Sequence, residues 1–200
     1  MTAAPAAAAL GLRVKSGWAA YAIVQRGSEQ PRLLARGRLE LCDPAVPESR
    51  QPYHADFGTE QRDPRVIERL TALVMRRADE SIRALLARSA GDGVSIRAAA
   101  LVVGSVVDPA SIANPHIRAH AAEGRLFRCA AQEALGAGGI PSTIWIEKRL
   151  YGDAARAIGD PEVSVRRAVN AFGRGLDGGW RADDKAAALG AWLALTQAPL

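Results

Sequence analysis

The run AAALVV at residues 98–103 is apolar at every position. A strand that must hide both faces suits the middle of a sheet with helices on each side, and a parallel sheet above all. Its neighbours read the same way. Upstream, Asp63-Pro64 supplies a helix cap followed by a proline suited to the first helical position. Val66, Ile67, Leu70, Leu73, Val74, Ile82, Leu85 and Leu86 then give an apolar stripe at helical spacing, closed by Gly91. Downstream, Asn114-Pro115 repeats the start signal for a helix reaching about Leu135, and glycines across 136–139 break it. Residues 140–147, IPSTIWIE, read as another strand.

The N-terminal part is β-rich. Residues 10–26 alternate or run apolar through Leu12, Val14, Trp18, Tyr21, Ile23 and Val24, with a tight turn at 15–17. A second turn at 27–30 leads to a third strand over 31–41. Residues 42–63 have no periodicity. A loop of that length inside a compact domain is functional or mobile, and a mobile surface loop carrying Tyr53, His54, Asp56 and Phe57 is the expectation. The C-terminal part reads as helices over 150–158 and 166–176, the latter led in by Asp160-Pro161. A last helix is opened by Asp183 and Asp184 and carries Ala187, Leu189, Trp192, Leu193 and Leu195. Residues 1–9 are expected to be disordered and 10–200 to form one domain.

Two hundred residues, 48% of them hydrophobic, can bury a full core. The formal charge is +5, and with lysine only at 15, 148 and 185 nearly all the positive charge is arginine. Arginine's planar fork suits phosphate and carboxylate partners, although an alanine- and arginine-heavy chain also reflects a GC-rich coding sequence. Cys42 and Cys129 make no disulfide framework and read as small core residues. The start MTAAPAAAAL lacks the basic segment of a signal peptide. No run is long enough for a membrane span, so a cytoplasmic protein of bacterial type is expected.

The order of three strands, helix, strand, helix, strand and helices resembles the ribonuclease H-like superfamily. Two segments are similar to its RuvC-type resolvases: LGLRVKSGWAAYAIV at 10–24, like their first hairpin, and RADDKAAALGAWLAL at 181–195, like their final helix. The resemblance implies an α/β fold of three layers, with a five-stranded mixed sheet (three antiparallel strands, then two parallel) and helices on both faces. It also implies two divalent metals held by carboxylates from the first strand, the fourth strand and the last helix, an arrangement that clamps attacking and leaving oxygens. Here Arg13 stands where the first-strand aspartate is expected, with Lys15 nearby, and the fourth strand offers no carboxylate. Only Asp183 and Asp184 remain near their place. Two cations repel Mg²⁺, so the usual phosphodiester cleavage is not expected.

Residues 114–128, NPHIRAHAAEGRLFR, concentrate the candidate chemistry. At ~100° per residue, His116, His120 and Glu123 share one helix face. Two imidazoles and a carboxylate so spaced could ligate a transition metal or act as acid and base, or be hydrogen-bonded boundary residues beside Phe127 and Ala130. The pattern is not HExxH. Arg118, Arg125 and Arg128 could join Arg13 and Lys15 in an anion pocket, with Ser105 adding a hydroxyl and Asn114 opening a helix whose first turn offers backbone donors. The same arginines could equally form a solvated face. Glu147 and Lys148 end the last strand near the same crevice, and Arg166, Arg167 and Arg174 make a separate basic face.

The leading expectation is a catalytically degenerate ribonuclease H-like protein that binds nucleic acid or another phosphate-bearing ligand, with no cofactor. One alternative is a hydrolase or transferase using His116, His120 and Glu123, with or without a metal. The other is a homo-oligomeric or subunit-interaction protein whose polar helix face is the interface.

Overall fold

The computed structural model describes residues 6–27, 30–56 and 58–197. Strands β1 (Ala6–Lys15), β2 (Trp18–Gln25) and β3 (Arg32–Glu40) form an antiparallel meander. Strands β4 (His54–Asp56) and β5 (Thr59–Glu60) make a separate small hairpin. Helix α1 (Pro64–Gly91) leads to β6 (Val94–Val103), and α2 (Pro115–Ala137) leads to β7 (Ser142–Ile146). Helices α3 (Leu150–Ile158), α4 (Glu162–Ala171) and α5 (Ala182–Gln197) complete the chain. The main sheet has the order β3-β2-β1-β6-β7. β6 and β7 run parallel to β1, with Leu12 beside Leu101 and Val103 beside Ile146.

The expected α/β architecture is therefore present. The apolar run at 98–103 sits between β1 and β7 and is buried on both faces, as an interior parallel strand requires. Alternation assigns each face. Leu10, Leu12, Val14, Ala99, Leu101 and Val103 pack with Val74, Ile82 and Phe127 of α1 and α2. Ala9, Ala98, Ala100 and Val102 face α5 and, beyond it, Leu150, Val165 and Val169 of α3 and α4. Small residues let α5 approach closely: a Cβ on Gly11 of β1 would lie 1.8 Å from the Ala187 carbonyl oxygen. The turn between β1 and β2 needs glycine for another reason, since Gly17 has φ +85°.

Several boundaries differ from the sequence expectation. β1 starts at Ala6, so residues 6–9 are strand, not disordered terminus; residues 1–5 lie outside the described residues. The 42–63 segment is not a bare loop. It holds a 3₁₀ turn at Pro47–Arg50, pinned by buried Ser49, and then the β4–β5 hairpin; Phe57 lies outside the described residues. Helix α4 spans Glu162–Ala171, not 166–176, with Pro161 itself in the cap position. Asp184 does not cap α5 from in front; its carboxylate reaches back and accepts from the Arg181 backbone N–H at 2.9 Å, as in half of a capping box. Cys129 is half-buried and Cys42 buried. Among the tryptophans only Trp192 is buried, while Trp18, Trp145 and Trp180 are partly buried against the α5-side core. Among the described residues, no helix is long and apolar enough to cross a membrane.

Candidate nucleic-acid interface and histidine cluster

The last pair of the parallel β1–β6 ladder places Arg13 beside Val102 near the carboxyl ends of both strands. Its side chain is buried on the α5 side. Nε donates to Glu147 Oε1 at 2.9 Å, Nη2 donates to Glu147 Oε2, and Nη1 donates to the Val14 carbonyl at 2.8 Å. Asp183 Oδ1 lies 3.8 Å from Arg13 Nε and 3.1 Å from Lys15 Nζ. Glu147 and Asp183 thus face two cations of their own chain. Asp184 points elsewhere, to Arg36 at 3.2 Å. Lys148 lines a surface depression together with Glu147, Arg156 and Arg166.

Across the ends of β1 and β6, a crevice of about 470 Å³ opens between the strands and α2. Lys15, Ser105, Arg125 and Arg128 line it, and Arg13 borders it. Arg125 meets Asp108 at 3.5 Å, both side chains being largely exposed, a geometry that binds weakly in water. Arg128 is half-buried and its Nε is shielded from water without a hydrogen-bond partner. The Ser105 hydroxyl oxygen accepts from the Val107 N–H at 3.0 Å. The carboxyl end of strands in an open α/β sheet is where such folds bind ligands. A larger groove of about 620 Å³ lies elsewhere, lined in part by Arg32, Asp160, Arg167 and Arg174.

Two expected contributors to the crevice have other work. Arg118 does not line it: Nε and Nη2 clamp Glu60 of the hairpin at 2.8 and 2.7 Å, and Nη1 donates to the Ile112 carbonyl. That clamp holds the Glu60 carboxyl below the usual carboxylate range. Asn114 caps α2, its Oδ1 accepting from the Ile117 N–H at 3.1 Å, so one first-turn donor is already satisfied.

The histidine face of α2 meets a partner that spacing did not indicate. His54, from β4, packs against both His116 and His120, with ring centroids 5.2 and 4.5 Å away. Every histidine of the chain is therefore in one cluster. His54 Nδ1 lies 2.7 Å from Glu123 Oε1, and His54 Nε2 lies 3.3 Å from His116 Nδ1. Glu123 is fully buried, its Oε2 has no hydrogen-bond partner, and His120 Nδ1 lies 3.5 Å from it. Burial pushes the Glu123 carboxyl above its ordinary range, against the pull of His54 and His120. His120 borders both the basic crevice and a second depression that His54 and His116 help line.

His54 is the functional candidate that sequence reasoning passed over. The usable signal was scarcity: three histidines in 200 residues, two of them on one helix face.

No protein-family model and no curated protein sequence matches the chain. Solved structures do match it in fold. The structure of RuvC from Thermus thermophilus aligns with a TM-score of 0.55 at 14% identity, covering 95% of this chain and 93% of that one. T. thermophilus RuvC in complex with a Holliday junction substrate aligns with the same TM-score at 13% identity, over 95% and 92% of the two chains. The fold is thus ribonuclease H-like, of the RuvC type.

Proposed function

We propose that this chain is a RuvC-like nucleic-acid-binding protein that contacts the phosphate backbone with the crevice at the carboxyl edge of its sheet, and that it does not cleave by two-metal chemistry. The observation that carries this reading is Arg13. The superfamily's divalent metals require converging carboxylates there, whereas Glu147 and Asp183 are bound to Arg13 and Lys15. A donor set already neutralised by internal cations does not fit Mg²⁺. The cations that remain, Arg125 and Arg128, line together with Lys15 a concave surface of a size that a sugar-phosphate backbone can enter. The solved RuvC complex with a Holliday junction supports a nucleic-acid ligand for this fold.

The test is titration of a labelled four-way junction, a duplex of the same sequence and a single strand with the purified chain, followed by incubation with Mg²⁺ and Mn²⁺. Salt-sensitive binding without strand cleavage is the expected result. Cleavage abolished by Asp183→Asn would overturn the non-catalytic half of the reading, and absence of binding to all three nucleic acids at low salt would overturn the other half.

A further inference from the structure

We propose that His54, His116 and His120 form a binding site for a borderline divalent transition metal, zinc being the best match, and that the bound ion ties the β4–β5 hairpin to α2. Each histidine can offer a ring nitrogen such that all three lie within 4.8 Å of one another. Two nitrogens held about 2.05 Å from zinc at the tetrahedral angle stand about 3.3 Å apart. His54 Nε2 and His116 Nδ1 already have that separation, 3.3 Å. Small rotations of the half-exposed His120 bring in the third.

The surroundings are those of a ligand set and not only of a packed aromatic group. A metal-bound imidazole characteristically gives its other N–H to a carboxylate, which fixes the tautomer and aims the free lone pair at the ion. His54 does this through Nδ1 with Glu123, leaving Nε2 on the side of His116. Glu123 calls for a cation on the same side. A fully buried carboxylate whose Oε2 has no hydrogen-bond partner has an unmet electrostatic demand. A dication held by those imidazoles would meet it.

Imidazole nitrogen favours zinc, copper, nickel or cobalt over magnesium or calcium, so this site is chemically distinct from a two-Mg²⁺ centre. Three protein ligands leave the fourth tetrahedral position unfilled by the chain. The cluster borders a depression of about 420 Å³ lined by Glu48, Gln51 and Asp56, which gives water access to that position.

The 200-residue chain, stripped with a chelator and dialysed against micromolar Zn²⁺, should retain one equivalent by elemental analysis. With Co²⁺ it should develop the visible bands of a tetrahedral nitrogen site, without thiolate charge transfer from Cys42 or Cys129. His54→Ala and His120→Gln should each abolish stoichiometric retention, and Glu123→Gln should weaken affinity by about 10–100-fold. His120 is half-exposed, so its variant tests the site if His54→Ala fails to fold. Wild-type protein that holds no zinc after dialysis, or retention undiminished in His120→Gln, would refute the site.

Discussion

Arg13 and Glu147 stand 134 residues apart in the chain and meet through two parallel hydrogen bonds, one of them at 2.9 Å. The same guanidinium donates to the carbonyls of Val14 and Val102, so one buried side chain joins the ends of β1 and β6 to the end of β7. Arg13→Ala removes a charge-assisted fork and leaves two strand-end carbonyls without that donor. The half-exposed Glu147 regains water, which softens the loss. We expect a cost of about 2–3 kcal/mol in urea unfolding. Arg13→Lys should recover only part of it, since an ammonium cannot fork. A cost under about 0.5 kcal/mol, within the range of ordinary surface substitutions, would show the pair to be incidental.

The close approach of α5 to β1 makes a sharper test of packing. At Gly11 an added methyl group would collide with backbone, the Ala187 carbonyl at 1.8 Å and the Ala191 nitrogen at 2.6 Å, and backbone cannot rotate away. Gly11→Ala should cost more than about 3 kcal/mol, the upper end of ordinary overpacking. Gly124, on the exposed side of α2, has nothing within 4 Å of its Cβ position. Gly124→Ala should instead stabilise the chain by roughly the helix-propensity difference, about 1 kcal/mol. Thermal melts of the two variants should move in opposite directions.

The sheet order was legible because the signals that set it are local or strongly patterned. The doubly apolar run at 98–103 demands an interior position, and Asp63-Pro64 and Asn114-Pro115 mark the helices on either side. The candidate site was legible only in part. His116, His120 and Glu123 share a face by helical period alone, but the period does not say that Glu123 is fully buried or that His54 closes the cluster. β4 and β5 have three and two residues, too few to display alternation, so their segment read as loop. Arg13 with Glu147 and Arg118 with Glu60 are long-range pairs whose residues look, in sequence, like unassigned charges.

The Arg118–Glu60 clamp yields a pH prediction. The guanidinium lowers the folded-state pKa of Glu60 below its ordinary value, so the unfolded chain takes up that proton first as pH falls. The pair's contribution is therefore complete above the ordinary glutamate range and is lost as pH drops through the lowered folded value. The stability difference between wild type and Glu60→Gln should be full at pH 7 and shrink steadily below about pH 4. Urea unfolding at a series of pH values reads this directly. A difference that persisted unchanged in strong acid would mean that the amide disturbs packing rather than charge.

Salt dependence separates the cations that face the crevice from those that serve the fold. Each phosphate contact with B-form DNA steepens the plot of log affinity against log salt by ~0.9. Lys15, Arg125 and Arg128 line the crevice, and Arg125 is held only by a long, exposed contact to Asp108. Arg125→Gln and Arg128→Gln should each flatten the slope by about one unit, and their combination by about two. Arg118→Gln should leave the slope as it is, because that guanidinium is already bound to Glu60 and to the Ile112 carbonyl. Measuring the slopes by fluorescence anisotropy between low and moderate salt distinguishes the two groups even if every variant binds more weakly. If Arg118→Gln flattened the slope while the Arg125 and Arg128 variants did not, the interface would lie on the hairpin side of α2 and the crevice assignment would fall.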